Sequence, residues 1–398
     1  MTPAEVSNPI LNSPFEEPQQ YWYIQEGADP EVRTGRRKPV VFPPRDQTQE
    51  WDLSDGTLRR SEEYRGGYEV VLANLIRERV KAWRAASYTG ATRTTLELLQ
   101  YWRREGREKR LFYAQLEAAE TIIFLTEARS DFRQGVNIPI DEPSQQQQDA
   151  GIKAFTRYAC KMATGSGKTT CMGMLAAWSI LNKVANRSDG RFSDVVLVVC
   201  PNVTIRSRLA ELAPDADEAS IYRTRDLVPR QLMPTLRRAK VLVTNWHIFE
   251  PQTPQAGGVP AKVLKTGTAV RTTETYNIGA KTTTARGSRY ITLEDLEQRV
   301  ATSLLTVVEE KKDPQGNLKR VKVEAVRYVE SDTGWIKRVL AKEIGGKQNI
   351  LVFNDEAHHA YRIRREEDGD GELFGEEEEE EEFYKEATVW IEGLDRIH

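Results

Sequence analysis

The feature that most constrains the fold is an uninterrupted apolar run, Val195–Cys200, which ends at Pro201. A strand that is apolar at every position must be buried on both faces, and such strands are typical of parallel sheets covered by helices. Two more apolar runs, at 241–244 and 350–353, follow it, and residues after 171 are apolar at helical spacing. Because strands alternate with helices, the sequence predicts a doubly wound α/β domain built on a parallel sheet.

The chain before this domain falls into two segments. Residues 1–60 are rich in proline, aromatic and charged residues with weak periodicity, which predicts an extended arm with short strands such as one at 39–42. Residues 61–150 carry apolar stripes at helical spacing and form a predicted helical extension. Its helices are expected at about residues 68–83, 94–104 and 114–128.

A cluster of basic residues lies between the second and third predicted helices. Two glutamates, Glu105 and Glu108, are interleaved with it, so the sequence favours a solvated helix face over a phosphate-binding surface. The basic residues are Arg103, Arg104, Arg107, Lys109 and Arg110.

The α/β domain is predicted to span residues 151–398, with a long insertion at roughly 251–345. The insertion opens with prolines and glycines and then becomes rich in threonine. Residues 321–326 alternate between apolar and polar side chains, which predicts a half-exposed strand in a hairpin. Seven consecutive glutamates, Glu376 to Glu382, follow the last apolar run and are predicted to form a solvated loop.

Composition argues against several classes of protein. The three cysteines have no metal-ligand spacing and are expected to be reduced thiols rather than a disulfide framework. No apolar stretch approaches the roughly 20 residues that a membrane-spanning helix needs. The N-terminus lacks the basic start and apolar run of a signal peptide, so a cytoplasmic location is expected.

A glycine-rich segment, Ala163 to Thr170, lies between a predicted strand at 158–162 and a predicted helix. Glycines at such a turn let consecutive backbone N–H groups converge on phosphate oxygens. Lys168 is then expected to reach the terminal phosphates of ATP, and the Thr169 hydroxyl to bind Mg²⁺. The predicted ATP-binding residues of this segment are Thr164, Gly165, Ser166, Gly167, Lys168, Thr169 and Thr170.

An acidic pair, Asp355 and Glu356, follows the apolar run at 350–353. Both carboxylates are therefore expected at the carboxyl edge of the sheet, where ligands bind in open α/β folds. Asp355 is predicted to hold Mg²⁺, and Glu356 to orient or deprotonate the attacking water. Lys168, Glu356 and His358 form the predicted catalytic set, in which His358 is expected to couple the nucleotide state to a neighbouring lobe.

Two segments, 161–170 and 353–361, resemble superfamily 2 helicases with a DEAH box, and more closely the restriction subunit of type III restriction enzymes. They read Lys-Met-Ala-Thr-Gly-Ser-Gly-Lys-Thr-Thr and Phe-Asn-Asp-Glu-Ala-His-His-Ala-Tyr. The resemblance implies a RecA-like P-loop NTPase lobe. It also implies ATP hydrolysis that drives a DNA helicase or translocase.

Two further segments resemble nucleic-acid-binding motifs of this family. Residues 200–206 occupy the place of motif Ia, and residues 243–247 fit the next such motif. Without the resemblance, residues 202–209 are also interpreted as a plain helix start capped near Asn202. The contact residues implied by the resemblance are Pro201, Thr204, Arg206, Thr244 and Asn245.

Residues 112–118 resemble the family's glutamine motif, which implies that Gln115 reads the edge of the adenine. Gln148 is the alternative, because it lies 20 residues before Lys168, nearer the usual spacing. We prefer Gln115, because aromatic residues precede it and an amphipathic helix follows it.

The resemblance implies duplex DNA and a modification methylase subunit as partners. A second RecA-like lobe with arginine fingers, which add about 10³–10⁵ in turnover, is expected on a downstream or separate polypeptide. The chain is therefore expected to be the N-terminal portion of a motor, truncated before the Ser-Ala-Thr motif and the nuclease domain of a complete restriction subunit. Two other interpretations stay open: a nucleotide- and DNA-binding module with little turnover, and an RNA helicase lobe.

Overall fold

The computed structural model divides the chain into two compact units. The first unit comprises residues 1–246, 347–388 and 398, and the second comprises 247–346 and 389–397. Within these units the structure describes residues 6, 8–25, 28–42, 56–140, 142–143, 148–149, 153–250, 268–279, 290–301, 305–312, 314, 316–329, 349–357 and 389–395.

Strands and helices are numbered in chain order. The strands are β1 (Gln20–Tyr23), β2 (Glu31–Thr34), β3 (Val40–Val41), β4 (Leu58–Arg60), β5 (Tyr68–Val70), β6 (Val195–Cys200), β7 (Lys240–Asn245), β8 (Thr268–Ile278), β9 (Tyr290–Ile291), β10 (Leu305–Lys312), β11 (Leu318–Val329) and β12 (Leu351–Asn354). The helices are α1 (Val71–Ala85), α2 (Arg93–Arg103), α3 (Tyr113–Glu127), α4 (Lys168–Ala185), α5 (Val203–Leu209), α6 (Ile221–Thr224), α7 (Met233–Leu236) and α8 (Leu293–Ala301). Short 3-10 turns lie at Ala210–Leu212, Asp217–Ala219, Arg230–Leu232 and Trp246–Phe249. Residues 389–395 are also helical.

The N-terminal arm forms two small antiparallel sheets and packs on the start of α3. β1 pairs with β2, and β5 pairs with β3 and β4. The carbonyl oxygen of Pro14 accepts a hydrogen bond from the Tyr113 N–H at 2.8 Å. Arg36 binds both carboxylate oxygens of Glu117, with Nη2 2.6 Å from Oε2. The arm is therefore fixed to the helical extension by both backbone and charged contacts.

The three predicted helices of the extension are present as α1, α2 and α3. α1 begins at Val71 rather than at residue 68, because the three preceding residues pair as β5. The Thr92 side chain caps α2 by accepting the Thr95 N–H at 3.1 Å. Among the described helices, none has both the length and the apolar character needed to cross a membrane.

The parallel sheet of the first unit has the strand order β12-β6-β7. Every residue of the central strand β6 is buried, as its apolar sequence predicts. The register places Asn354 beside Val199, and Cys200 beside Asn245. The three strands therefore run in the same direction and end at one edge, which confirms the predicted α/β arrangement with a parallel sheet.

The strand predicted at 158–162 is not formed. These residues have no regular secondary structure, four of the five are exposed, and no strand in the described part of the chain pairs with them. The segment contains only short apolar stretches and Lys161, so burial provides a weak drive toward the sheet. A strand also needs a neighbour for its backbone hydrogen bonds, which the residue pattern alone cannot supply.

A buried carboxylate joins the extension to α4, the central helix of the first unit. Oε1 of Glu127 on α3 accepts hydrogen bonds from the Trp178 indole N–H on α4 and from the Thr95 hydroxyl on α2, both at 2.6 Å. Its Oε2 accepts the Thr92 N–H at 2.7 Å. Glu127 is only 4% exposed, so these donors replace the water that its charge would otherwise require.

A second buried carboxylate, Glu120, gathers residues from three elements. Its Oε2 lies 2.5 Å from Nη2 of Arg84, and its Oε1 accepts the Tyr88 hydroxyl at 2.8 Å. Arg103 of the basic cluster also donates to Glu120. Since Glu120 is 1% exposed, this is an internal ion pair rather than a surface contact.

The prediction that the basic cluster is a solvated helix face is wrong for three of its five residues, whereas Lys109 and Arg110 are exposed. Besides Arg103, Arg104 pairs with Asp226, and the buried Arg107 donates to the carbonyl oxygens of Arg225 and Asp226 at 2.9 Å. Arg104 and Arg107 therefore bind a remote loop between α6 and α7, which sequence spacing does not reveal.

The second unit contains a four-stranded sheet in the order β10-β11-β8-β9. The pairs β10–β11 and β11–β8 are antiparallel, and β8–β9 is parallel. Val321 and Val323 of β11 form a small core with Ile291 and with Leu296 of α8. The half-exposed strand predicted at 321–326 therefore lies within β11, with one face covered by α8.

Candidate nucleotide-binding site

The glycine-rich segment forms a compact loop that leads directly into α4. Gly165 and Gly167 both have left-handed backbones, with φ of 79° and 89°. The Ala163 carbonyl closes the loop by accepting the Ser166 N–H at 3.2 Å and the Ser166 hydroxyl at 2.6 Å. Residues other than glycine rarely adopt these φ values, so this loop conformation requires both glycines.

The two glycines face different surroundings. Among the described residues, no heavy atom beyond its chain neighbours lies within 4 Å of the position that a Cβ at Gly165 would occupy. At Gly167, that position is 2.0 Å from Nε2 of Gln115. Gly165 therefore leaves space for a phosphate, whereas Gly167 permits the close approach of α3.

Gln115 is buried against this loop, and Gln148 is not. The Gln115 side chain donates from Nε2 to the Ser166 carbonyl oxygen at 3.0 Å and accepts the Phe112 N–H at 3.0 Å. Gln148 is exposed and donates to the Pro143 carbonyl oxygen at 2.9 Å. The structure thus brings Gln115, and not its alternative, to the glycine loop.

The acidic pair meets the same loop from the end of β12. The Asp355 N–H donates to the Val199 carbonyl oxygen at 2.9 Å, which extends the pairing of β12 with β6. Nζ of Lys168 lies 2.7 Å from Oε1 of Glu356, although the two residues are 188 positions apart in the chain. Glu356 has a φ of 53°, a left-handed backbone that is uncommon for a residue other than glycine.

Opposite charges and burial shift the pKa values of this group. The hydrogen bond from Lys168 to Glu356 raises the pKa of the lysine, so its ammonium stays charged. Burial, followed by the charge of Glu356, raises the pKa of Asp355, and the nearby Lys168 opposes this shift. A cation near Asp355 would favour its ionised form.

Thr169 and Asp355 are the residues that would hold Mg²⁺. Mg²⁺ in nucleotide sites takes one or two protein oxygens and completes its shell with phosphate oxygens and water. Thr169 follows Lys168 at the start of α4, and Asp355 is a buried carboxylate whose charge lacks full compensation. Within the described ranges no cluster of three or more His, Cys, Asp or Glu residues could hold a metal by itself. These residues therefore fit an ion that arrives with the nucleotide.

The candidate nucleic-acid contacts follow β6 and β7 at the same sheet edge. Thr204 and Arg206 on α5 are exposed, and Pro201 and Asn245 are half-buried. Thr244 is buried, and its hydroxyl donates to the Asn245 carbonyl oxygen at 3.4 Å. Asn202 caps α5 by accepting the Ile205 N–H at 2.9 Å, so the predicted cap is present.

One predicted catalytic residue is not described by the structure, and two structural carboxylates were not predicted from the sequence. His358 lies outside the described residues, as does the glutamate run. Glu120 and Glu127, the buried carboxylates that fix α3, were not predicted from the sequence. Their spacing of seven places them on one face of α3, among apolar residues, which is a signal that could have revealed them.

The first unit combines a glycine loop at the start of a buried helix with a lysine joined to an acidic pair at the end of a strand. This arrangement is typical of P-loop nucleotide sites. Residues 108–245 match the family model described as type III restriction enzyme, res subunit. The predicted resemblance is therefore confirmed over about a third of the chain, and this segment is similar to the helicase-like ATP-binding module of such subunits. The acidic pair lies beyond the matched segment. Comparison with curated proteins and with solved structures gave no match.

Proposed function

We propose that the first unit binds and hydrolyses ATP as a lobe of a DNA-dependent helicase or translocase of the type III restriction kind. The observation that carries this proposal is the 2.7 Å contact between Lys168 and Glu356. It joins the glycine loop, inside the matched family segment, to an acidic pair outside it. Local sequence patterns predicted each half, and their meeting in the fold supports one common site.

Each residue has a distinct role in the proposed reaction. ATP hydrolysis depends mainly on positioning and charge neutralisation. Lys168 leaves Glu356 and binds the terminal phosphates, which frees the Glu356 carboxylate to orient the attacking water. Thr169 and Asp355 hold Mg²⁺ through the hydroxyl and the carboxylate.

Gln115 is proposed to read the adenine edge. An amide side chain has two donor hydrogens and two acceptor lone pairs. The contacts of Gln115 with Ser166 and Phe112 use one of each. One donor and one acceptor remain for the base, while the contact with Ser166 keeps the amide beside the phosphate loop.

Duplex DNA is the proposed nucleic acid, and a modification methylase is the proposed protein partner, as is usual for type III restriction subunits. Thr204, Arg206 and Asn245 are the proposed backbone contacts, with Pro201 shaping the loop before α5. They follow adjacent parallel strands that end at the edge where Asp355 lies. Binding at that edge would place the nucleic acid near the residues that hydrolyse ATP.

We also propose the domain division expected from the sequence: an arm at 1–60, a helical extension at 61–150 and an ATP-binding domain from 151 with an insertion at roughly 251–345. The second compact unit, whose larger part is 247–346, supports the insertion, whereas the first unit holds the arm, the extension and the ATP-binding domain together. The coupling role of His358 remains a prediction.

ATPase activity with duplex DNA, single-stranded DNA or RNA tests the proposed function. We expect duplex DNA to give the largest stimulation. Glu356→Gln is expected to retain ATP binding while turnover falls by about 10²–10⁴, the usual contribution of a positioned general base. Turnover unchanged in both Glu356→Gln and Lys168→Ala would contradict the site assignment, and stimulation by RNA alone would favour the RNA helicase interpretation.

A nucleotide- and DNA-binding module with little turnover is the second candidate. The direct pairing of Lys168 with Glu356 favours this candidate, because the charge of the proposed base Glu356 is neutralised until a ligand displaces Lys168. Tight ATP and DNA binding by the wild-type chain, without hydrolysis above the level of Glu356→Gln, is the result that would select this candidate.

A further inference from the structure

Four exposed cations occupy the tip of the hairpin formed by β10 and β11. We define the hairpin tip as Lys311, Lys312, Lys319 and Arg320, all of which are exposed. The strand register places Lys311 directly opposite Arg320. Like charges at directly opposite positions destabilise a pair of strands, so an anion bound between them would stabilise this hairpin.

The described residues supply little counter-charge to the hairpin tip. Lys312 lies 3.6 Å from Glu310, and Arg320 donates to the amide oxygen of Asn277 at 3.1 Å. In the part of the chain that the structure describes, no acidic side chain forms an ion pair with Lys311, Lys319 or Arg320. The turn residue Asp313 lies outside the described residues.

Protection of a sheet edge does not account for these cations. Lysines on an edge strand prevent pairing with another chain, and this explanation suits β10. β11, however, lies between β10 and β8 in the sheet. Its cations Lys319, Arg320 and Lys322 are exposed, although only Lys322 has an acidic residue, Glu309, as its register partner.

The same face of the sheet also offers neutral polar groups. Asn277 and Thr275 of β8 are the register partners of Arg320 and Lys322. Val321 and Val323 alternate with these cations and are buried on the α8 side. The outward face at this end of the second unit therefore carries cations, an amide and a hydroxyl, which are groups that proteins use to contact phosphates, beside one carboxylate, Glu309.

We infer that the hairpin tip is a second nucleic-acid contact, which binds the phosphate backbone without reading the sequence. Nucleic acid suits this surface better than an acidic peptide, because a regular series of phosphates can meet several cations without folding on them. The inference rests on the proposed function only in taking nucleic acid as the substrate, and it does not depend on the ATP site.

The test measures the affinity of the full chain for a labelled DNA duplex at several salt concentrations. Affinity falls as the salt concentration rises, and each lost phosphate contact makes the slope of log affinity against log salt shallower by about 0.9. The double variant Lys311→Gln, Arg320→Gln is expected to make this slope shallower by about 1.8. The double variant Arg93→Gln, Arg187→Gln, which removes the same charge from exposed positions of the first unit, is expected to leave it unchanged.

Further measurements decide the outcome. Lys311→Arg, Arg320→Lys keeps both charges and is expected to retain the wild-type slope. An unchanged slope in the glutamine double variant, with binding reduced by Arg206→Gln, would overturn this inference while leaving the proposed function in place. An equal effect on binding of polyglutamate would overturn it in favour of an acidic protein segment. A wild-type chain that binds ATP but no nucleic acid would overturn both this inference and the DNA half of the proposed function.

Discussion

The two units of this chain use polar residues in opposite ways. In the first unit, charged groups lie inside the fold, where Glu120, Glu127 and Asp355 are each under 10% exposed. In the second unit, the exposed charges of the β10–β11 hairpin surround a small core at Val321 and Val323, although Asp395 is buried. Buried charges must be met by fixed donors, so they hold elements in one arrangement, whereas exposed charges leave the fold nearly unaffected. The first unit is therefore suited to chemistry and the second to contact with a charged surface.

The largest expected effect comes from removing the lysine of the phosphate loop. Lys168→Ala should lower ATP turnover by at least about 10²–10³, the typical cost of losing one preorganised group that stabilises developing charge. Lys183→Ala, on the same helix, is the matched control, because the Lys183 ammonium donates to the Asp189 carbonyl oxygen, away from the glycine loop. Equal turnover in the two variants would show that the first unit does not use its converging charges for catalysis.

Loss of a buried carboxylate should reduce the stability of the first unit. Glu127→Ala leaves the Trp178 indole N–H, the Thr95 hydroxyl and the Thr92 N–H without their acceptor. Each unsatisfied buried group costs about 1–3 kcal/mol, so the free energy of unfolding should fall by about 3 kcal/mol or more. Denaturant unfolding monitored by tryptophan fluorescence measures this change. For the control Glu78→Ala, at an exposed position of α1, the free energy of unfolding should fall by less than about 0.5 kcal/mol.

A smaller loss is expected from the core of the second unit. Val323→Ala removes two methyl groups at a fully buried position and should cost about 1–2 kcal/mol. Val308→Ala, at a position 59% exposed on β10, should cost much less. Hydrogen exchange of the β11 amides measures the local free energy of opening. Equal protection in both variants would mean that this sheet does not depend on its apolar side.

The smallest effect is a change in the pH dependence of stability. Burial raises the pKa of Asp355, so its protonated form stabilises the fold below the unfolded pKa, and this contribution is lost as the pH rises through the folded pKa. The asparagine of Asp355→Asn cannot ionise. The free energy of unfolding of this variant should therefore increase relative to that of the wild type as the pH rises from about 4 toward neutrality. Denaturant unfolding at several pH values measures this difference, and parallel pH profiles would contradict it. The same variant should lose Mg²⁺-dependent turnover.

Features that depend on neighbouring residues could be predicted from the sequence. The run at β6 is buried along its whole length, and the glycine loop precedes a helix, as their local patterns indicate. The preference for Gln115 over Gln148 rested on flanking residues, and the structure places Gln115 at the glycine loop. In each case the preference of the chain over a few positions agrees with the final environment.

Features that depend on remote partners could not be predicted. The segment 158–162 has a strand-like composition but no described neighbour to pair with. Arg107 resembles a surface residue until the loop at Arg225 and Asp226 supplies acceptors that bury it. The hairpin tip required the register of β10 and β11, since only the register places Lys311 opposite Arg320.

The sequence by itself determined the parallel α/β core and the two halves of the nucleotide site, because apolar runs and glycine loops constrain the chain locally. Only the tertiary structure decided that Lys168 meets Glu356, that Glu127 joins three helices and that cations gather at the hairpin tip. These contacts link residues far apart in the chain. Their energies arise from burial and from charges brought close in space, and neither quantity exists until the chain has folded.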